Sequence, residues 1–437
     1  TLALDSCQFD NNKGSSGGSV SSISSAMPSA GSFTIQSSSF SNCNFPNGAI
    51  KASVETISIS GPLMTGNNMF MQLYSTVDTN VNGVNFALSG PTSSDLFSFT
   101  SETGTLTLDG IQFALVQTNV AFAASAVGMV VSAPNIYWSN FNNLGLVNVP
   151  EGNYVASDTW LKVLPTTGAS TITIENVQIN GFSVPFVFSA TGYADITLRD
   201  VMVDCVNKMN TLPTLTIMTT DSITLDNVTY NQAKPNGNPI FHLESANIGW
   251  DTVEVANVTR SGESPVFLMK GAVITLSDVT IENLVCNDAT AFFQITSSCD
   301  TTTTTCSTTV QNSAIKTVSI NSNNVVCFSV SGPGGGSASE YSVVMDHVGF
   351  NGLANMGLVK LTTTAMATSF DYKNNKAINC GSDNGPLIMV WESTTPSTTS
   401  LQHSFFNNEF TQNVYRQPVL DWSQYLTGWK CLWPRRN

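Results

Sequence analysis

Carboxylates are the side chains of this sequence whose types and spacing allow chemistry. The aspartates Asp195, Asp200, Asp204, Asp221 and Asp226 fall in one stretch of the chain. Neighbouring carboxylates can bind a divalent cation or share general acid and general base roles. The local pattern favours turn and strand-cap residues instead, because Asp200 falls at a predicted turn while Asp195 and Asp221 precede predicted strands.

The elements that must position these side chains repeat along most of the chain. Each copy alternates apolar with other residues, breaks once at a small turn residue and then resumes the alternation. Recurrence at roughly 20–35 residues indicates a solenoid. The turn residues are predicted to lie on one longitudinal line, and they are Gly110, Asn140, Asn176, Asp200, Asn227, Asn257 and Asp278.

Variable repeat length around a fixed strand–turn–strand element resembles the right-handed parallel β-helix of the pectin-lyase-like superfamily. In that family an Asn often occupies one tight turn, and Asn140, Asn176, Asn227 and Asn257 match it. Residues 9–12, 17–20 and 47–50 are similar to the F-x-N-N and G-G-A-I segments of polymorphic outer-membrane and adhesin-type β-helices. The resemblance implies an all-β, right-handed parallel β-helix solenoid of about 14–15 coils. Such folds include lyases, hydrolases, adhesins and filament subunits, so the resemblance does not fix a function.

One outward column of this expected fold carries Glu175, Arg199 and Asp226 in successive repeats. Two carboxylates and an arginine on one face resemble the equipment of pectate-lyase-like enzymes. The alternative is an acid–base–acid ladder that relieves repulsion between stacked like charges, and we prefer it. No catalytic residue is therefore predicted.

Threonine and histidine offer weaker hints of a site. Thr107, Thr173, Thr197, Thr224 and Thr275 recur in one outward column, which resembles the ice-binding face of some antifreeze proteins. Exposed Thr is also common in strands, so ice binding is a remote alternative. The three histidines, His242, His347 and His403, lie near no Cys or Ser in a nucleophile setting and are interpreted as structural.

Composition narrows the class of protein. The chain has 437 residues, of which 11% are charged, and a formal net charge of −14. Acidity argues against a nucleic-acid partner, and the absence of a long apolar run argues against a membrane span. No cofactor is predicted. Because the chain opens inside a repeat without Met, we interpret it as part of a longer secreted precursor.

Nine cysteines without a C-x-x-C pair or a Cys/His cluster indicate disulfides and an extracellular setting, with no metal site. The strongest candidate pair is Cys299 with Cys306, at the two ends of a Thr tract. Further candidate pairs, with connectivity left open, are Cys7 with Cys43, Cys286 with Cys327, and Cys380 with Cys431. Cys205 has no candidate partner in the chain and is interpreted as a buried thiol or an intermolecular partner.

We predict one elongated domain over residues 1–421, followed by an aromatic tail over 422–437. Loop insertions are predicted at 149–170, 297–313, 331–339 and 392–400. Asn227 and Asn257 each begin an N-x-T sequon and are glycosylation candidates. The tail is predicted either to cap its own last repeat or to dock on the first repeat of a neighbouring copy. Candidate contact residues are Leu2, Leu4, Phe9, Trp422, Tyr425, Trp429 and Trp433.

These features predict a secreted structural or adhesive β-helix, a subunit that stacks head to tail with copies of itself in an extracellular filament or surface coat. The alternative is a polysaccharide-active enzyme or a carbohydrate-binding solenoid. An enzyme should show three or more carboxylates converging in a groove, whereas a filament subunit should show two complementary ends.

Overall fold

The computed structural model describes most of the chain, with gaps. The described residues are 1–14, 20–23, 31–43, 49–65, 71–83, 85–92, 97–101, 106–109, 112–118, 122–126, 131–132, 136–139, 159–164, 171–182, 187–205, 209–210, 215–232, 234–235, 237–299, 305–321, 325–332, 340–363, 367–382, 388–392, 400–415 and 420–423. All structural statements below concern these residues.

The described residues form an all-β structure. The strands of the first half are β1 Leu2–Asp5, β2 Gln8–Asp10, β3 Val20–Ile23, β4 Ser32–Gln36, β5 Ser39–Ser41, β6 Ile50–Ser60, β7 Leu63–Thr65, β8 Met71–Asn82, β9 Asn85–Thr92, β10 Phe97–Ser101, β11 Leu106–Asp109, β12 Gln112–Thr118, β13 Phe122–Ala126, β14 Val131–Ser132, β15 Ile136–Ser139, β16 Thr159–Leu164, β17 Thr171–Phe182, β18 Val187–Cys205, β19 Met209–Asn210, β20 Leu215–Asn231 and β21 Lys234–Pro235.

The second half continues in the same way. Its strands are β22 Phe241–Glu244, β23 Asn247–Ala256, β24 Thr259–Ser261, β25 Phe267–Gly271, β26 Val273–Ser277, β27 Thr280–Asn287, β28 Phe293–Ser297, β29 Thr305–Gln311, β30 Ala314–Asn321, β31 Val325–Ser331, β32 Glu340–Asp346, β33 Gly349–Asn351, β34 Met356–Thr363, β35 Ala367–Lys373, β36 Lys376–Ile378, β37 Gly381–Ser382, β38 Ile388–Glu392, β39 Ser400–Phe406, β40 Glu409–Thr411, β41 Val414–Tyr415 and β42 Leu420–Ser423.

Parallel pairing connects 38 of these strands into one sheet. Each strand pairs with the equivalent strand of the next repeat, as β18 does with β20 and β20 with β23. Alternation places one set of side chains on the inner face, so that Ile196, Ile223, Ile248 and Ile274 follow one another in register and are at most 1% exposed. The predicted all-β class and the parallel pairing of successive repeats are confirmed.

Aromatic rings stack within the core at the spacing of the strands. Phe267, Phe293 and Phe328 occupy one register position in β25, β28 and β31, and successive ring centroids lie 4.7 Å apart. Trp250 packs edge-on against Phe241 and Phe267 at 5.4 and 5.7 Å. Stacked rings bury a large apolar area while keeping adjacent repeats in register.

Left-handed backbone turns separate the strands at two places in many repeats. The first corner line has φ between 47° and 65° and comprises Ser6, Ser37, Gly61, Gly83, Asp200, Asn227, Thr252, Asp278, Asn312, His347, Asn374 and Asn407. The second corner line has φ between 53° and 67° and comprises Asn11, Asn42, Gln232, Asn257, Asn283, Thr317, Gly352, Asn379 and Gln412. Asn, Asp and Gly tolerate this conformation better than other residues, which explains their share of both lines.

Several predicted boundaries differ from the structure. Strand β16 lies inside the predicted insertion 149–170, and β29 lies inside 297–313, so both insertions are shorter than predicted. Residues 333–339 and 393–399 lie outside the described residues. Strand β42 crosses the predicted boundary at 421/422 and pairs Trp422 with Val390, so the repeat pattern extends past that boundary.

Candidate functional site

The predicted turn residues fall on both corner lines. Asp200, Asn227 and Asp278 lie on the first corner line, and neighbouring strand registers align them. Asn176 lies in β17 at the equivalent register, between Glu175 and Val177, which pair with Arg199 and Val201. The side chains of this line bond to one another, since Asn227 Nδ2 donates to Asp200 Oδ1 at 2.5 Å.

Asn257 was assigned to the wrong line. It belongs to the second corner line, where Asn283 Nδ2 donates to its Oδ1 at 3.3 Å. The first corner of that repeat is at Thr252, because Asp226 pairs with Asp251 and Val228 with Val253. The assignment failed because the same strand–turn–strand pattern marks both corners, while the Thr at the first corner is an unusual turn residue.

The register predicted for one earlier repeat is also wrong. Strand β15 was expected to precede the first corner, with Asn140 at the turn. Instead Ile136 pairs with Val177, and Tyr137 pairs with Gln112 and Gln178, all of which follow that corner. Asn140 and Gly110 themselves lie outside the described residues.

In several repeats an inward polar side chain directly follows the corner residue, a feature that the repeat pattern did not predict. Asn375 accepts a hydrogen bond from the Val348 amide at 2.8 Å and donates to the Met345 carbonyl at 2.9 Å. Asn408 bonds to the amide of Asn375 and the carbonyl of Tyr372 in the same way. At the second corner line, Asn413 bonds to the Cys380 amide and the Ala377 carbonyl.

We call these side chains the reach-back residues, because each satisfies backbone groups of the preceding repeat. Ser38 and Ser313 do so with a hydroxyl, which accepts from the amides of Cys7 and Val279 respectively. An unpaired buried amide is costly, so a small polar side chain at this position stabilises the preceding repeat. The available sequence signal was a small polar residue at a position that other repeats fill with an apolar one, such as Val228 or Val258.

The charged column has the predicted register. Glu175 pairs with Arg199, Arg199 with Asp226, and Asp226 with Asp251. Arg199 Nε lies 3.0 Å from Asp226 Oδ2, and both side chains are more than one third exposed. This geometry favours a surface ladder. Two other aspartates accept hydrogen bonds from neighbouring repeats: Asp195 from the Ser222 hydroxyl at 2.5 Å, and Asp200 from the Asn227 side chain. Among the described residues, no group of three or more His, Cys, Asp or Glu side chains is arranged to hold a metal ion.

Two histidines contact carboxylates. His242 Nε2 lies 2.9 Å from Glu244 Oε1, and Lys270 Nζ lies 3.4 Å from the other oxygen of Glu244. Partial burial acts to raise the pKa of Glu244, but His242 and Lys270 outweigh it and lower that pKa. His347 Nδ1 lies 2.7 Å from Asp346 Oδ1 on the first corner line. Carboxylates kept ionised by cations suit structural ion pairs better than proton donors.

Cysteines are mostly structural. Cys299 and Cys306 form a disulfide with their Cα atoms 6.3 Å apart. The predicted Cys7–Cys43 and Cys286–Cys327 bonds are wrong, because Cys7, Cys286 and Cys327 are free. Cys7 follows the first corner line and Cys43 the second, so their side chains occupy different columns.

Burial accounts for the protonation state of Cys286 and Cys380. It raises the pKa of Cys286 to about 12, against the opposing charge of Arg260, and it raises the pKa of Cys380. Such thiols stay protonated and are poor nucleophiles or ligands. Cys380 is free, while Cys431 lies outside the described residues, and nothing is described of the Cys205 side chain.

A buried arginine holds a pair of loops together. Arg260 is 1% exposed and donates to the Asn238 carbonyl at 2.9 Å, the Gly262 carbonyl at 3.2 Å and the Ser264 hydroxyl. Burial lowers its pKa. Because the guanidinium donates to backbone oxygens, it connects residues 237–238 with 262–264, and its role is structural.

Both sequon asparagines are exposed, one on each corner line. Asn227 donates to Asp200, and Asn257 Nδ2 donates to Asn231 Oδ1 at 2.8 Å. An amide nitrogen carries two hydrogens, so one remains for a substituent at each site.

The two ends of the described structure present related features. Strands β1 and β2 pair only with β4 and β5, and strands β39 and β40 pair only with β35 and β36. Leu4 and Phe9 at one end, and Phe405 and Phe410 at the other, are partly buried against the core. Leu2 is 36% exposed. Of the tail residues, Tyr425, Trp429 and Trp433 lie outside the described residues, and Trp422 is described only as part of β42.

Comparison with known proteins adds no assignment. The chain matches no protein-family model, no curated protein and no solved structure. Within the described part of the chain, no helix is long and apolar enough to cross a membrane.

Proposed function

We propose that this chain is a right-handed parallel β-helix of about 14–15 coils that serves as a secreted structural or adhesive building block. Parallel pairing of every repeat with the next, together with two lines of left-handed corners, supports a solenoid in which one repeat makes one coil. Copies stack end to end in an extracellular filament or surface coat, and glycans at Asn227 and Asn257 would decorate its sides.

The observation that carries this proposal is the partial burial of apolar side chains in the first and last described repeats. Leu4 and Phe9 in the first described repeat, and Phe410 in the last, are partly buried against the core. Strands with an unpaired edge add further strands through backbone hydrogen bonds. A contact of this kind between the first repeat of one copy and the last repeat of another would be head to tail, and it would propagate instead of closing.

The test is direct imaging of the full-length protein by negative stain, combined with sedimentation velocity over a range of concentrations. Filaments, or a sedimentation coefficient that rises with concentration, are expected. A protein that stays monomeric at the highest attainable concentration would exclude the filament role.

A polysaccharide-active enzyme or carbohydrate-binding solenoid is the second candidate. The charged column of Arg199 and Asp226, continued by Asp251, favours it, since it places carboxylates and a guanidinium side by side on an exposed face. Release of unsaturated or reducing ends from pectin-like substrates, abolished by Asp226→Asn, would establish this activity. Ice binding has weaker support, because Gly249 interrupts the Thr column between Thr224 and Thr275.

A further inference from the structure

One outward column of the sheet lacks a side chain at a single position. Gly249 lies in β23 between the buried residues Ile248 and Trp250, so alternation turns its position outward. From β18 to β39 the other members of this column carry side chains, and they are Thr197, Thr224, Thr275, Thr309, Val344, Asp371 and Ser404.

Neither backbone conformation nor space accounts for this glycine. Its φ lies outside the left-handed region. A Cβ atom built on Gly249 would meet only the Ile223 carbonyl oxygen, at 3.9 Å, which is an ordinary contact. Glycine inside a strand is destabilising, because it loses the most conformational freedom on folding. A strand glycine without such a local reason often lies where a ligand or another backbone approaches closely.

The missing side chain leaves a notch with four polar walls, which we call the Gly249 notch. Thr224 and Thr275 flank Gly249 on the two neighbouring strands, and Asn247 and Asp251 flank it along β23. Asn247 and Asp251 are exposed. The backbone positions of opposite walls lie about 10 Å apart across the strands and about 13 Å apart along them. This footprint suits one sugar ring that lies flat on the backbone.

The walls of the notch both donate and accept hydrogen bonds. Asn247 donates one N–H to the Asp221 carbonyl at 2.9 Å, which leaves its side-chain oxygen and its second N–H. Among the described residues, Asp251 accepts one long hydrogen bond, from the Thr252 hydroxyl at 3.5 Å. The two threonine hydroxyls of the walls can act either way. Because sugar hydroxyls also donate and accept, this set complements neighbouring hydroxyls on one ring.

Charge narrows the class of sugar. Asp226 and Asp251 are register neighbours on adjacent strands, and Arg199 contacts Asp226 at 3.0 Å. Stacked like charges are unfavourable in the unliganded protein, yet carboxylates accept strong hydrogen bonds from hydroxyls. The same charges repel the carboxylate of a uronate. The notch therefore favours a neutral sugar over an anionic one.

We propose that the Gly249 notch binds one unit of a neutral saccharide. The ring lies against the backbone of Gly249, and its hydroxyls bond to Asp251, Asn247 and the two threonines. This inference goes beyond the building-block role, since it requires neither assembly nor turnover, and it gives the carbohydrate-binding candidate a site and a ligand class. Because the four walls carry no aromatic ring, the dissociation constant should be on the order of millimolar.

Saturation-transfer NMR on the full-length chain tests the site, because it detects millimolar binding of a small ligand to a large protein. The neutral probes are cellohexaose and mannohexaose, and the anionic probe is hexagalacturonate. At least one neutral probe should show saturation transfer, and hexagalacturonate should bind more weakly than that probe.

Gly249→Thr continues the threonine column and fills the notch. The thermal midpoint should rise by about 1 °C, because a strand glycine is replaced. Binding of the neutral probe should fall at least about 10-fold, because the added side chain occupies the place of the ring. The matched control is Gly349→Thr, in β33 beside Ala314 and Lys376, where an added Cβ would meet only the Ser313 carbonyl oxygen at 3.8 Å. The control should bind the neutral probe as the parent does.

Asp251→Asn tests the discrimination by charge. Loss of the carboxylate should weaken binding of the neutral probe about 5- to 10-fold and narrow its preference over hexagalacturonate. The thermal midpoint should not fall, because the stacking on Asp226 is relieved. A merely structural role of Asp251 would leave the sugar preference unchanged.

The outcomes separate this inference from the building-block role. Absence of saturation transfer to both neutral probes, or equal transfer in the parent and Gly249→Thr, would overturn the notch as a sugar site while leaving end-to-end assembly in place. A change in the sedimentation of Gly249→Thr without a change in sugar binding would assign the notch to a protein contact and would also overturn it. A parent chain that binds the neutral probe but never assembles would exclude the filament and retain the site.

Discussion

The first and second corner lines make the same backbone turn with different side chains. Both hold φ near 55°, yet the first carries Asp200, Asn227 and His347, and the second carries Gln232, Asn257 and Gln412. Beside the first line lie ion pairs such as Arg199 with Asp226, whereas beside the second Asn257 donates to the neutral Asn231. The comparison shows that backbone conformation defines a corner, while the outward neighbours vary.

The largest effect is expected from removing a reach-back residue at the first corner line. Asn375 is 1% exposed, and Asn375→Leu would leave the Val348 amide and the Met345 carbonyl unpaired in the core. The free energy of unfolding should fall by about 2–4 kcal/mol, measured by urea denaturation.

Asn413→Leu makes the matched change at the second corner line, where the side chain is only half-buried. Water can replace part of its bonding, so the loss should be about 1–2 kcal/mol. Asn375→Ser keeps a hydrogen-bond acceptor, as Ser313 does. Its free energy of unfolding should lie between those of the parent and Asn375→Leu. Equal losses at the two corners would contradict the view that burial sets the cost.

Replacing a threonine at a corner should stabilise the protein on either corner line. Thr252 and Thr317 are exposed and have φ of 55° and 53°, a region that strains a β-branched residue. Thr252→Asn and Thr317→Asn should each raise the free energy of unfolding by about 1 kcal/mol. Thr275→Asn, in the strand β26, is the control and should not stabilise. A loss of stability in both corner variants would show that the local contacts of the threonines outweigh backbone strain.

Asp346 and the side chains around it, beside the first corner line, predict that the stability of the protein depends on pH. Burial acts to raise the pKa of Asp346, but the hydrogen bond from Asn374 and the charges of His347 and Lys373 outweigh it and lower that pKa. A lowered folded-state pKa stabilises the protein above the ordinary value of the group, and this contribution disappears as pH falls through the lowered value.

Unfolding followed between about pH 2 and pH 6 should therefore show stability falling in acid, below about pH 4. Asp346→Asn should remove part of that fall. Lys373→Met should move it to higher pH by less than about one unit, because one favourable charge is lost. An acid limb identical in all three proteins would show that Asp346 does not contribute to it.

The sequence predicted the parallel all-β pairing and the column of Glu175, Arg199 and Asp226, because apolar alternation and repeat spacing directly encode strand register. It did not separate the corners of one repeat, since the pattern around Asn257 resembles that around Asn227. It also paired Cys7 with Cys43 because they fall in adjacent repeats, although the two side chains follow different corners and occupy different columns. Which polar residue reaches back, and to which repeat, depends on three-dimensional neighbours and had no pairwise signature.

The smallest effect is expected at the exposed ion pair beside the first corner line. Arg199→Gln removes the 3.0 Å contact with Asp226 and leaves that carboxylate stacked on Asp251. Because both partners are largely exposed, water and salt screen the pair, and the loss should be about 0–1 kcal/mol at low salt and near zero at high salt. Asn231→Ala changes the neutral pair beside the second corner line, and its cost should be independent of salt. Urea denaturation of both variants at low and high ionic strength tests the contrast. A salt-insensitive loss above about 2 kcal/mol for Arg199→Gln would mean that the ladder is a buried network rather than a surface one.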